Sequence, residues 1–583
     1  MKLKYILGFV LAGLVSSCST ELTPDQKIAD AVLLKQVKEY TLNADGSYTY
    51  RYSHKRLYNT HFAFHRLFGE TFVVYNPDYQ TLKVNQSVTT MADGKKVASP
   101  ENAYNEVLPF AAADAPAYNK LREMVITHPG LEIGAVVELD YEVTTKAGFK
   151  PFLSEHIMLT ESSPIQNLEV IVRVPKGAVL NHALLNAPKT MEFKKSTKGE
   201  YDVYSWNAAN VPSYSHEAAQ KPGLMGYAQL MFSTVSIEAT HKFITDNLTF
   251  TDEAAIVSPS LESSSKDWEL VSHLQSVVVN QLNTYRVAPA VVGFQFRKPA
   301  DVWSSNGGTE GEKAILLAAL LQSKGITAQA VAAAYPYSAQ DGIIPELVDR
   351  FFVKVTILGE ERLFSVVSTS EKVPGIRSYL DSGVVRRSAA VDKPLSVDVV
   401  ARLSLTTDGK LSGTADVAIV GSETVSTPLL GLTQPTLSYT KEQKGADTLT
   451  FSCNIKGMES RVVEGYYRVT LPDAPVGLKS MGIGELPTLR KAPVWIAGSV
   501  AETYSYTITL PEGYRLVSKS GLSVRNELGE AVVQISTTGS TVEVKRSLKL
   551  VKGTIPAEEY PLFRDIYNAW MDSNASVIVV AAQ

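Results

Sequence analysis

The sequence predicts an α+β multidomain chain with an N-terminal β-sandwich-like domain, a central α+β core and a C-terminal β-rich domain. Three observations carry that expectation. Apolar residues alternate at period two through 29–235, recur at helical spacing through 236–385, and alternate again through 386–583. A chain of 583 residues is also too long for one hydrophobic core. Its 45% hydrophobic and 20% charged residues are those of a globular protein, and a net charge of −4 lacks the basic footprint of a nucleic-acid binder.

Residues 1–18 read as a targeting segment. Lys2 and Lys4 supply a positive start, and the apolar run from Ile6 to Val15 is too short to span a bilayer as a structural helix. Val15, Ser16 and Ser17 ahead of Cys18 resemble the lipobox of bacterial lipoproteins. That resemblance implies acylation of Cys18, a signal peptide ending there, and stable anchoring by two or more acyl chains. Ser19, where an aspartate is absent, fits delivery to the outer membrane; the periplasmic and outward faces both stay open. Residues 19–28 read as a polar tether. The only other cysteine, Cys453, alternates with Leu449, Phe451 and Ile455 on one strand face, so it reads as a small buried hydrophobe.

Through 29–235 the strands follow one another closely. Tyr48, Tyr50 and Tyr52 alternate after the turn signal at Asp45 and Gly46, and Leu82, Val84 and Val88 share a face. Val137, Leu139, Tyr141 and Val143 make a further strand, and Leu168, Val170, Val172 and Val174 another. His61 and His65 have helical i, i+4 spacing, but no third ligand follows at metal-site spacing. They read as packed or surface residues among Phe62, Phe64 and Phe68.

Through 236–385 helices enter, expected over 239–247, 267–282 and 312–324, with strands over 327–334, 351–358 and 362–367. The glycine pair Gly307 and Gly308 reads as a turn feeding the third helix, whose Leu316, Leu317, Leu320 and Leu321 form a buried stripe. Such a loop and helix N-terminus is where a nucleophilic enzyme seats a thiol. Here it holds Thr309 and Glu310. Beyond 390, strands return over 397–405 and 411–420, around Tyr504 and Tyr506, and again around Val542 and Val544. A helix opens at Pro561, and a last strand covers 577–580.

Three stretches, at 75–84, 91–97 and 128–141, resemble the N-terminal β-domain that precedes transglutaminase-like cores in bacterial envelope proteins. The order of elements in 236–385 resembles the transglutaminase-like, papain-type core itself, and 510–513 with the terminal helix resemble the C-terminal β-domain of that lipoprotein family. The resemblance implies a Cys-His-Asp set. Placing Lys313, Ala314, Leu316 and Leu317 on the family pattern puts Gly308 on its glycine, Thr309 on its loop aspartate and Glu310 on its cysteine. Phe351 then falls on its histidine, and the turn at 365–367, centred on Val366, on its catalytic aspartate. All three catalytic positions, Glu310, Phe351 and Val366, depart from the pattern.

Acyl transfer needs a thiolate, a base within reach and a group that orients the base. The nine histidines end at His273, so none follows Glu310 in the chain. Thr309 or Ser304 with His273 or Asp349 lacks supporting spacing. Glu310 with Glu312 or Asp349 as a hydrolytic acid–base pair competes with the plainer role of carboxylates at a helix N-terminus. The expectation is therefore a lipid-anchored cell-envelope protein with a catalytically inactive transglutaminase-like core. It would serve as a binding or scaffold module for a protein or glycan partner, with no cofactor, metal or nucleic acid. The alternative is an active transglutaminase-like protease, amidase or hydrolase using relocated residues.

Overall fold

Two eight-stranded sheets dominate the chain. The computed structural model describes residues 21–214, 216–221, 226–250, 267–334, 342–369, 378–387, 394–421, 427–433, 435–444, 448–518 and 521–582. The expected signal peptide and its Cys18 lie outside these described residues. The N-terminal sheet runs in the order Glu192–Lys198, Tyr201–Val211, Ile165–Pro175, Ala31–Leu42, Tyr48–Tyr58, Val136–Thr145, Gln80–Thr90, Lys96–Ala98. The C-terminal sheet runs Leu437–Lys444, Thr448–Glu459, Lys410–Val420, Leu395–Leu405, Val500–Thr509, Thr541–Leu550, Gly529–Thr538, Leu522–Asn526.

The two sheets share a wiring. In each, the opening strand forms an antiparallel hairpin on one side and pairs in parallel on the other, Ala31–Leu42 with Ile165–Pro175 and Leu395–Leu405 with Val500–Thr509. Both inner strands are then flanked by antiparallel strands of which the later in sequence lies nearer the centre, the short edge strand Lys96–Ala98 excepted.

Each sheet buries one face. In the N-terminal sheet Tyr40, Leu168 and Val170 meet Ile157, Leu230 and Phe232 of a three-stranded sheet, while Leu139 and Val143 meet Val73 and Ile126 of a second one. The C-terminal sheet is covered by the helix Tyr560–Met571, through Phe563, Ile566, Tyr567 and Trp570. Cys453 is buried in that core, which pushes its thiol up to about 11. Within the expected tether, Pro24–Ile28 forms a capped helical turn whose buried Gln26 donates to Asn210.

Between the large sheets, an antiparallel five-stranded sheet runs Glu360–Ser365, Arg350–Ile357, Thr327–Ala334, Ser378–Asp381, Val384–Arg387. Helices Ile237–Leu248, Trp268–Gln281 and Glu310–Ser323 pack with it around one core. Ser236 caps the first helix and Asp267 the second, each accepting from a backbone N–H of the first turn. The third helix is buried on nearly all sides, since Ala314, Ile315 and Ala318 are enclosed along with its leucines.

The α+β class is nevertheless overturned. Strands make up 47% and helices 19%, so the chain is mostly β with many sheets and few helices. The expected helices are present one by one. Three helices beside a five-stranded sheet do not set the class of a chain whose two ends are extended sheets. At the N-terminal end, one long sheet is faced by two small ones.

Candidate functional site

The site is built at the N-terminus of Glu310–Ser323. Asn306 takes the left-handed turn at φ 53, and Gly307–Thr309 then runs as a short strand parallel to Asn283–Tyr285. The glycine pair is therefore no turn. Its lack of side chains admits neighbours, because a Cβ on Gly307 would lie 2.6 Å from the Tyr285 ring and one on Gly308 2.8 Å from Val302 Cγ1. Gly311 likewise admits Phe296, whose Cε1 would meet a Cβ at 2.5 Å. Close approach of side chains to backbone, rather than turn geometry, is what these glycines supply.

Thr309 caps the helix: its Oγ1 accepts from Glu312 N–H at 3.3 Å, and Glu312 Oε2 accepts from Thr309 N–H at 2.8 Å. Glu312 is fully buried and saturated. Arg297 grips it with Nε on Oε1 at 2.8 Å and Nη2 on Oε2 at 2.9 Å, while Tyr118 Oη donates to Oε1 at 2.6 Å. Burial pushes this carboxyl up, but the Arg297 and Tyr118 hydrogen bonds more than offset it and hold the group below its ordinary value.

Lys313 is also fully enclosed, donating to Leu282 O at 3.1 Å and Thr284 Oγ1 at 2.8 Å. Burial pushes its amine down to about 8, although the nearby Glu310 charge acts the other way. An amine with no exposed surface has no route to a substrate.

The structure brings the three predicted positions together. Glu310, in the first helical turn, accepts from Arg350 Nε at 2.8 Å and from Phe351 N–H at 3.0 Å. Phe351 is buried, its ring edge-on to Phe296 at 5.6 Å. Val366 follows Ser365, which pairs with Phe352, and it is enclosed in the same apolar cluster as Phe351. The Glu310 carboxylate thus clamps the head of the helix to the strand Arg350–Ile357.

The other candidates do not assemble. The Thr309 hydroxyl serves the cap, Ser304 Oγ donates to Asp301 O at 3.2 Å on the exposed side, and His273 lies on the exposed face of its helix. Asp349 joins the sheet through its N–H on Ala333 O at 3.1 Å. His241 has both ring nitrogens engaged: Nε2 accepts from Ile343 N–H at 3.0 Å, which places the proton on Nδ1, facing Gly383 O at 3.1 Å. Burial lowers its pKa, so it sits as a neutral packing group. His61 and His65 stack with ring centroids 5.9 Å apart. Among the described residues no group of three or more His, Cys, Asp or Glu side chains could hold a metal ion.

Sequence reasoning missed Arg297, Tyr118 and Arg350 as partners. The capping box at Thr309 and Glu312 was open to view as a threonine followed three residues later by a glutamate. The Arg297 fork and the Tyr118 hydroxyl, which arrives from 194 residues earlier in the chain, carry no local signal.

Two family models match. A domain of unknown function with solved structure, DUF3857, covers residues 44–215, and a second domain of unknown function with solved structure, DUF3858, covers 467–580. No curated protein matches the chain. Among solved structures, a chain from Parabacteroides distasonis described as a candidate protease is 27% identical, with a TM-score of 0.69 over 95% of this chain and 99% of that one. An M1 zinc metallopeptidase of Deinococcus radiodurans is 9% identical, covers 50% of this chain and 63% of its own, and has a TM-score of 0.20, too low to carry an argument. This chain is therefore similar to DUF3857 over 44–215 and to DUF3858 over 467–580, and along nearly its whole length to a protein described as a candidate protease.

Proposed function

We propose that this chain is a lipid-anchored cell-envelope protein whose central unit is transglutaminase-like in descent but catalytically silent, and which acts as a binding or scaffold module for an envelope protein or glycan. The observation that carries the reading is the clamp at Glu310. Its carboxylate accepts from Arg350 and from the Phe351 N–H, and rings of Phe351 and Phe296 fill the ground beside it. A carboxylate so engaged is a poor nucleophile, and the general base has been replaced by a packed phenyl ring. The terminal sheets offer edges and faces on which an extended partner can add.

The alternative is an active protease or amidase with relocated residues, favoured by the likeness to the Parabacteroides distasonis chain described in those terms. Photo-crosslinking in intact envelopes separates the two. The scaffold reading expects a discrete crosslinked partner that survives Glu310→Ala. A protease reading expects shortened substrate fragments that vanish with that substitution, which would refute the scaffold assignment.

A further inference from the structure

The corner of the N-terminal sheet next to the start of the chain carries apolar side chains that its own core does not use. Residues 61–67 form a helical turn held down from within: Ala63, Phe64 and Phe68 pack with Ala31, Tyr58 and Val137. The Arg56 guanidinium lies 4.1 Å over the Phe68 ring, and Tyr58 Oη donates to Phe68 O at 2.8 Å. The turn is therefore fixed on the sheet, and the residues it points outward are set by packing rather than by fraying. Those residues are Phe62, 52% exposed, and Leu67, 45% exposed, in company with exposed His61, His65 and Arg66. Phe72, 57% exposed, continues the apolar surface along a groove of about 680 Å³ that Leu67, His61 and His65 also line. Glu70 and Glu132 on that groove are engaged within the domain, accepting from Thr127 Oγ1 and Ala92 N–H.

The start of the chain is tied to this same corner. Asn59 Nδ2 donates to Gln26 O at 3.1 Å and to Ala29 O at 2.8 Å, and Thr60 Oγ1 donates to Asp30 Oδ1 at 2.6 Å. Ile28, at the end of the pinned turn, is 79% exposed. Pro24 lies six residues after Cys18, and six fully extended residues reach only about 20 Å. An acyl chain on Cys18 therefore keeps this corner within reach of the headgroups.

We infer that this corner is a membrane-docking surface whose partner is the lipid headgroup layer. Phe62, Leu67 and Ile28 enter the interface, and His61, His65 and Arg66 meet headgroup phosphates. The inference rests on the reading of Cys18 as the anchor for its geometry. Acyl chains alone would leave the protein free to swing on its tether. Docking sets its orientation, so that the central unit faces away from the bilayer at a fixed height. An exposed cluster of large apolar side chains beside the Arg66 guanidinium and two imidazole donors, next to a short tether, is the arrangement that such a surface needs.

The test places an environment-sensitive fluorophore at position 62 through Phe62→Cys. Cys453 is buried and does not compete for label. The label goes into the full acylated chain and into the same chain carrying Cys18→Ser, each mixed with phosphatidylethanolamine–phosphatidylglycerol vesicles. In both, the probe is expected to shift to the blue and gain intensity several-fold, while a probe at the exposed Leu489 stays in water. In the Cys18→Ser chain, Phe62→Ser with Leu67→Ser is expected to weaken vesicle partitioning about tenfold without changing thermal unfolding. An acylated chain that sits on vesicles with its position-62 probe still in water overturns docking and leaves the anchor standing. Absence of acyl label on wild type overturns the anchor alone, and the Cys18→Ser titration then decides docking by itself. A blue shift that follows protein concentration without vesicles shows a self-contact and also overturns the inference.

Discussion

Two glutamates two positions apart do different work at the head of the same helix. Glu310 is the mostly buried clamp to Arg350, whereas Glu312 is a fully buried carboxylate held by Arg297, Tyr118 and the Thr309 N–H. Replacing Glu312 by Gln leaves the Arg297 guanidinium, itself mostly buried, without its counter-charge, and is expected to cost about 3 kcal/mol in denaturant unfolding. The pH dependence gives the sign. The folded carboxyl titrates below its ordinary value, so its stabilisation is present above the normal carboxylate range and is lost as pH falls through the folded value. Glu312→Gln should flatten that acid limb, and an unchanged limb would show that the fork contributes nothing. Lys313 predicts the opposite end of the scale. Burial lowers its amine to about 8 from 10.5, so between those values the unfolded chain holds the proton that the folded chain has shed. Stability from this group therefore rises with pH across the window, and Lys313→Met should remove the rise.

At the scale of elements, the close approaches to the helix head decide which residues are tolerated. An alanine in place of glycine in an open helix gains about 1 kcal/mol. At Gly311 the added Cβ would lie 2.5 Å from the Phe296 ring, so Gly311→Ala is expected to lose about 2 kcal/mol in chemical denaturation. A stabilised variant would mean that Phe296 yields without cost.

The same elements show what the chain reveals before folding. Helices Trp268–Gln281 and Glu310–Ser323 and strand Thr327–Ala334 were legible because a buried face imposes its period on the residues. The glycine pair was misread because a glycine needed for a turn and one needed for a close neighbour look alike in sequence; here the neighbours, the Tyr285 ring and Val302, come from other segments. The fold class failed on proportion, since periodicity locates a helix without weighing it against sixteen strands in two large sheets. The Glu310–Arg350 clamp joins residues 40 apart, for which no spacing rule exists.

At the scale of the molecule, seven strands of each eight-stranded sheet follow one order, and the central unit is tied to the N-terminal region close to the candidate site. Tyr118 reaches Glu312, Lys150 pairs with Glu346, and Ser154 Oγ donates to Glu346 at 2.9 Å. Glu217 accepts from the Ala492 N–H at 2.7 Å and so links the N-terminal region to the C-terminal one. Tyr118→Phe removes one charge-assisted bond across the first junction and is expected to cost about 2 kcal/mol. Calorimetry should then show the early part of a single transition moving down; an unmoved profile would mean that the junction is held elsewhere. The proposed function makes the helix head a structural joint rather than an open active site. Turnover tests that claim most directly: incorporation of a labelled primary amine into a glutamine-bearing acceptor, together with amide hydrolysis, measured for wild type and Glu310→Ala beside an active transglutaminase. No turnover above heat-inactivated protein in either chain is the predicted result, and wild-type turnover abolished by Glu310→Ala would contradict it.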